Sequence, residues 1–360
     1  MVEFNNRHSF FKDQNDHAFT ALEKAHFISF APYAFQASVL LRDFDILKKL
    51  YKSDKGLSFA ELMQDLNISH YGLRVLVEAG IGIGLIQISD DVYTITKTGV
   101  MFINDPMVRV NTNFMRDICY EGSSKLKESI INGKPEGLPY LGEWNTIYEG
   151  LSKLNPQQKT SWFEFDNYYS DLVFPIIMPY LFSYQPKHIL DIGCNTGKFS
   201  IECLKYNAEV NMHLIDLPGQ IKIVKKILED QNISTRYELI EHNILDKSIE
   251  IPGKYDIIWM SQFLDCFSDD EIIGILKKCK LALNPNGKII INETFWDQQK
   301  FHAAMYSLQM TSLYFTTMAN GNSQMYDSRV FIKLIEEAGL KLIKEEHQIA
   351  TTHSLLTLSV

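Results

Sequence analysis

The segment His188-Ile189-Leu190-Asp191-Ile192-Gly193-Cys194-Asn195-Thr196-Gly197 limits the architecture of this chain more than any other. It reads as an apolar strand that stops at an acid and a glycine turn, then opens a helix. About twenty residues on, His213-Leu214-Ile215-Asp216 is a second apolar run ending in an acid. Strand candidates at 188–192, 212–216, 238–241, 255–260 and 287–293 alternate with helical patterns. That alternation predicts an α/β fold with a doubly wound, mostly parallel sheet. Two late apolar stretches, from Leu340 to His347 and from Ser354 to Val360, read as a strand pair closing one edge. Ligands of open α/β sheets sit at the carboxyl ends of the strands. Asp191, Gly193, Asn195, Gly197 and Asp216 are therefore candidate ligand contacts.

Charge narrows the partners. With 35 Lys and Arg against 44 Asp and Glu, the net charge of −9 argues against nucleic acid or an anionic membrane as the main partner. No apolar run reaches membrane-spanning length, and the N-terminus lacks a signal peptide's apolar core. The five cysteines form no C-x-x-C pair and no cluster with histidine, so neither a disulfide framework nor a zinc site is expected. Nor does any Asp/Glu/His cluster suggest a magnesium site. A reducing cytoplasm fits best.

The first half has a different pattern. From about Phe10 to Leu50 apolar residues recur at helical spacing, Phe35, Val39, Phe44 and Leu47 among them. Ser58 starts a helix with Glu61 three residues on, and Ile68-Ser69-His70 starts a second that runs through Val77. A strand pair turns at Asp90-Asp91, which completes a winged helix. A DNA reader needs basic residues on the second helix and wing. Arg74 and Lys97 face Glu61, Asp65, Glu78, Asp90 and Asp91 there, which favours a structural or pairing module. Residues 1–110 are assigned to that domain, 111–184 to an aromatic-rich helical connector, and 185–360 to the ligand-binding domain.

Glycine spacing then separates cofactors. Gly193 and Gly197 give G-x-x-x-G and not the G-x-G-x-x-G that a dinucleotide pyrophosphate favours. The set Asp191-x-Gly193-x-x-x-Gly197, His213-Leu-Ile-Asp216-Leu-Pro218, Tyr255–Met260, Ser268–Glu271 and Leu283–Glu293 resembles the class I methyltransferases that use S-adenosyl-L-methionine. With the winged helix in front, the chain is similar to the two-domain O-methyltransferases of phenols and polyketide-derived aromatics. The resemblance implies a Rossmann-like fold and a homodimer paired through the N-terminal domain. It also implies an aromatic or polyene-like small-molecule acceptor. By the same resemblance, the Gly193–Gly197 loop with Asn195 holds the methionine end of the cofactor and Asp216 takes the ribose hydroxyls. Leu217, Asn243 and Ile244 lie along adenine, and Ser261 stands where plant members carry a lysine.

At the catalytic position the family pattern breaks. Its members carry a histidine just before the helix cap at Ser268, and here the residues read Gln262-Phe263-Leu264-Asp265-Cys266-Phe267. Aspartate ionises near pH 4 and a phenol near pH 10, so complete proton transfer between them is uphill by about 8 kcal/mol. Burial that raises Asp265, or proton loss during methyl transfer, would close the gap. Other roles for Asp265 are a hydrogen bond that positions the acceptor, methylation at ring carbon, support of the helix start, or a place in a cofactor-binding homologue without catalysis. Glu293 matches the acid that orients the family's histidine. His302 is a candidate replacement base at the start of a helix bearing Met305, Tyr306, Met310, Tyr314, Phe315 and Met318, expected to line the acceptor pocket. The loop from Asn320 to Asp327 is expected to close over it.

Overall fold

A computed structural model describes residues 17–170 and 172–360, with the side chains of Tyr169 and Ser170 left aside. The chain divides into two compact units, the first ending at Met115 and the second running from Arg116 to Val360. The helical pattern expected from Phe10 falls partly on residues up to 16, outside the described residues.

The first unit opens with helices Ala18–Ser29, Ala31–Asp43 and Ile46–Tyr51. Next come β1 (Leu57–Ser58), helices Phe59–Met63 and His70–Ile83, then β2 (Ile86–Ser89) and β3 (Val92–Ile95). The small sheet has the order β1-β3-β2. Ser58 Oγ accepts from the Glu61 N–H at 3.3 Å, and Glu61 returns a bond to the Ser58 N–H at 2.7 Å, which fixes the helix start. Asp90 and Asp91 both take positive φ, 50° and 61°, as a two-residue hairpin turn requires. The second helix runs on to Ile83, six residues past Val77, and stops at Gly84 with φ 83°. Leu41, Leu47, Leu62, Leu73 and Val77 form the core of this winged helix.

The second unit is built on a seven-stranded sheet. Its strands are β4 (His188–Ile192), β5 (Asn211–Asp216), β6 (Tyr237–Glu241), β7 (Tyr255–Ser261), β8 (Leu283–Glu293), β9 (Lys341–Ile349) and β10 (His353–Ser359). Their order is β6-β5-β4-β7-β8-β10-β9. The first five are parallel, and β10 joins β8 and β9 antiparallel at the edge. Alternate residues feed two cores, as the strand period of two demands. Leu190, Ile192, Ile258 and Met260 pack on one face, and Ile189, Met212, Ile257 and Trp259 on the other. Between β5 and β7 the strand order reverses at β4, which opens a crevice at the carboxyl ends of these strands. No helix among the described residues is long and apolar enough to cross a membrane.

Candidate active site at the carboxyl ends of the central strands

The loop after β4 is shaped by its glycines. Gly193 has φ 73° and its N–H bonds the Ile215 carbonyl at 2.9 Å. A Cβ there would stand 2.2 Å from the Phe263 ring, so only glycine lets the loop pass. Gly197, also at φ 73°, opens helix Lys198–Tyr206. Asp191 ends up buried, where Ser200 Oγ donates to it at 2.7 Å. Burial pushes its carboxyl up to about 7 against that bond, and the Asp216 charge adds to the rise. Asp216 accepts from the N–H groups of Asn195 (2.9 Å) and Leu217 (2.7 Å). Even so, burial raises it to about 6.

Asn195, at φ 49°, ties two further residues to the loop. Its Nδ2 donates to Asp166 at 2.6 Å, and its Oδ1 accepts from Gln220 Nε2 at 3.1 Å. Nothing in the local sequence around Asp166 or Gln220 marks them. The first lies on helix Pro156–Ser170, whose aromatic-rich pattern read mainly as packing.

A cleft of about 360 Å³ runs away from this loop. Gly193, Asn195, Asp216, Leu217, Asn243 and Ile244 lie on its wall, as expected for a cofactor side. Asp191 and Ser261 instead line a smaller cavity of about 70 Å³ that shares Gly193 and Asn195, and Gly197 lines neither. Ser261 is thus removed from the main cleft. It follows Trp259 by two residues, on the sheet face where that ring stacks on Phe199 at 4.4 Å, and its Oγ accepts from Asn292 Nδ2.

Asp265 also lines the cleft, 5% exposed, in the short turn Leu264–Cys266 between β7 and helix Asp269–Leu281. That helix is held at its start by Glu271, which accepts from the Ser268 N–H and O–H at 2.9 and 2.8 Å. Phe267 and Ile272 join one apolar cluster there. Glu293, at the end of β8, accepts from the N–H groups of Phe263 (3.0 Å) and Leu264 (2.9 Å) through one oxygen. Its other oxygen is buried without a partner among the described residues. Burial raises both carboxyls, and Glu293 rises furthest because the Asp265 charge adds to its burial. Such a pair holds a proton more readily than two charges.

The acceptor end differs in detail from expectation. Tyr148, Trp162 and Phe165 of the connector line it, with Leu308, Thr311, Tyr314 and Phe315. Trp162 Nε1 donates to Tyr314 Oη at 3.0 Å. Helix phase turns the other residues away: Tyr306 and Met310 are exposed, and Met305 and Met318 are buried off the wall. His302 stands apart from the cleft. It is exposed on the first turn of helix His302–Tyr314, outside the residues that line the cleft. The loop at 320–327 does reach the cleft through Asn320, Asn322 and Met325, and Asn320 Nδ2 bonds the Cys266 carbonyl at 2.6 Å.

Two buried polar atoms on the wall, His242 Nε2 and Gln262 Oε1, have no partner among the described residues. Buried polar atoms are ordinarily paired, so these fit a ligand that brings hydrogen-bonding groups of its own. Acid at the second strand end, a glycine turn before a helix and a long apolar cleft define an α/β enzyme for a nucleoside-bearing cofactor.

The sequence matches a Dimerisation2-like domain over residues 23–93 and an O-methyltransferase domain over residues 170–341. The chain belongs to the two-domain O-methyltransferases and is an S-adenosylmethionine-dependent methyltransferase. An L-tyrosine C(3)-methyltransferase of Streptomyces lavendulae is 21% identical over 325 residues, covering 88% of this chain and 86% of that protein. Mitomycin 7-O-methyltransferase MmcR has a like fold, with TM-score 0.71 at 16% identity over 94% of this chain and 98% of its own. The O-methyltransferase NcsB1 of neocarzinostatin biosynthesis, solved with S-adenosylmethionine and 2-hydroxy-5-methyl naphthoic acid, gives 0.67 at 18% over 92% and 96%.

Proposed function

We propose that this methyltransferase acts on a hydroxyl of a small aromatic or polyene-like metabolite. One observation carries the reading: a single cleft joins the Asp216 loop to an aromatic wall and the buried carboxyl of Asp265. S-adenosylmethionine, when bound, supplies a methyl group on an electrophilic sulfonium. Asp216 accepts the ribose hydroxyls, while Leu217, Asn243 and Ile244 flank the adenine. Gly193, Asn195 and Gly197 form the turn for the methionine end, and Asp191 braces it from beneath. Ser261 serves through Asn292 and not by contact.

Asp265 takes the acceptor proton as the methyl moves. Its burial raises it toward the phenol and shrinks the proton-transfer gap. Glu293, protonated behind it, holds the turn through Phe263 and Leu264. His302 is given no step. Carbon ortho to a phenol is the second acceptor, favoured by the tyrosine-C3 relative.

Residues 1–110 pair two copies of the chain. Helix Ala18–Ser29 buries none of its residues and leaves Phe19, Phe27 and Ile28 exposed, as a pairing surface needs. Residues 111–184 supply one wall of the acceptor pocket and 185–360 the cofactor side. The free cysteines suit the cytoplasm.

Calorimetry with S-adenosylhomocysteine and transfer from methyl-labelled S-adenosylmethionine to a panel of phenols test the reading. The carbon shift of the transferred methyl tells oxygen from carbon. Absence of binding at high micromolar ligand would sink it.

A further inference from the structure

The cleft wall has an unbalanced charge. Among the described residues that line it, Glu149, Asp166, Asp216, Asp265 and Glu271 carry carboxyl groups, and none is lysine or arginine. The lone histidine there, His242, is held toward its neutral form by burial, with the Lys278 charge acting in the same direction. S-adenosylmethionine brings a sulfonium, an ammonium and one carboxylate, so one net positive charge leaves the imbalance standing. Walls of low dielectric on both sides focus such a field on whatever enters.

The carboxyls are not equivalent. Asp216 is bonded to the Asn195 and Leu217 N–H groups, Asp166 to the Asn195 amide and Glu271 to Ser268. Asp265 is buried. Glu149 is exposed, next to Tyr148, and among the described residues its carboxylate accepts one long bond, at 3.4 Å from the Asn145 N–H. Asp265, Tyr148, Trp162 and Glu149 all line the one cleft, so an acceptor held at Asp265 shares it with the Glu149 carboxylate. Aromatic faces favour a cation as well, and two buried polar atoms of the same wall, His242 Nε2 and Gln262 Oε1, have no partner among the described residues.

We infer that the acceptor is a hydroxylated aromatic bearing a basic, protonated nitrogen on a side chain, with Glu149 setting that preference, and that carboxylate-bearing phenols are excluded. The inference rests on the proposed acceptor end of the cleft, and it names the substrate class where the family assignment leaves it open.

The test uses the full-length protein saturated with S-adenosylhomocysteine and three matched probes: 4-(2-aminoethyl)catechol, 4-methylcatechol and 3,4-dihydroxyphenylacetate. Their dissociation constants are read by calorimetry. The amine is expected to bind about tenfold or more tighter than the acid, with the neutral probe between. Glu149→Gln should narrow the amine-to-neutral ratio, and Glu149→Lys should bring the acid level with the amine or ahead of it. S-adenosylhomocysteine affinity should be unchanged in both, because Glu149 is remote from the Asp216 loop in sequence and bonded to none of it. An acid that binds as tightly as the amine, three probes that fail to bind, or a Glu149→Lys protein with the original ranking would each overturn the inference. Loss of S-adenosylhomocysteine binding by the unaltered protein would instead overturn the cofactor reading beneath it.

Discussion

The two ends of the seven-stranded sheet hold acids in opposite conditions. At the amino end Asp256 accepts from the N–H groups of Lys187 and His188 at 2.9 Å each and from Asn284 Nδ2 at 2.8 Å. Burial works against its charge, yet these bonds hold it below the usual carboxylate range. At the carboxyl end Asp191, Asp216, Asp265 and Glu293 are all raised, in each case chiefly by burial. One acid has enough donors to stay charged and lock β4, β7 and β8 in register. The other four also accept hydrogen bonds, but these do not offset their burial. An acid whose bonds leave its burial uncompensated marks a candidate ligand site, whereas an acid that its donors hold charged marks structure.

The largest effect expected from this contrast is at Asp265. Asp265→Asn keeps the side chain's shape and removes its capacity to take a proton. Turnover should fall by about 10²-fold or more, while S-adenosylhomocysteine affinity stays within about threefold. Equal turnover in the variant would show that Asp265 is not the base. Asp216→Ala should do the reverse of this pattern. It removes the ribose contact and the acceptor of two loop N–H groups, so calorimetry should show affinity down about a hundredfold, or about 2.7 kcal/mol. An Asp216→Ala protein that binds normally would remove the loop from the cofactor site.

At the amino end the same kind of substitution should cost stability and nothing else. Asp256→Ala leaves two backbone N–H groups and an amide without their acceptor, which costs about 2 kcal/mol. For a unit of this size that lowers the melting temperature by about 4–8 °C. KM and kcat at a temperature where the variant is folded should match the parent. A fall in kcat with unchanged melting would break the division between the two ends.

How much of this was legible in the sequence follows the same line. The carboxyl-end loop was readable because Asp191, Gly193 and Gly197 are neighbours in the chain and their spacing dictates the turn. Strand positions followed from apolar alternation, although β8 begins at Leu283 and not at 287. Asp166 meets Asn195 across 29 positions, and Gln220 meets it across 25, so only the fold brings them together. Helix phase decided the rest. Thr311 and Tyr314 face the cleft while Met310 and His302 do not, and a helix whose apolar residues surround it gives no phase in advance.

The smallest effect sets the two ends apart by pH. Asp191 and Asp216 ionise near 7 and 6 in the ligand-free fold, against about 4 in an unfolded chain. Between those values the folded protein keeps protons that the unfolded chain has released. Stability from these groups is therefore full below about pH 4 and is lost as pH rises through 6 and 7. For Asp256 the sign is opposite: its contribution is present above pH 4 and is lost only as pH falls through its lowered folded value. From pH 5.5 to 8, then, of these acids only those at the carboxyl end titrate. Asp216→Asn, compared with the parent at both pH values, cancels the histidines common to both. The variant should gain about 0.8 kcal/mol relative to the parent on going to pH 8, or about 2 °C in melting temperature. S-adenosylhomocysteine binding reverses the sign at the same residue, because ribose hydroxyls donate to the charged carboxylate. Its affinity for the parent should be about fourfold weaker at pH 5.5 than at pH 8, with a proton released on binding. A pH-independent affinity would show that Asp216 is not the group whose charge the cofactor reads.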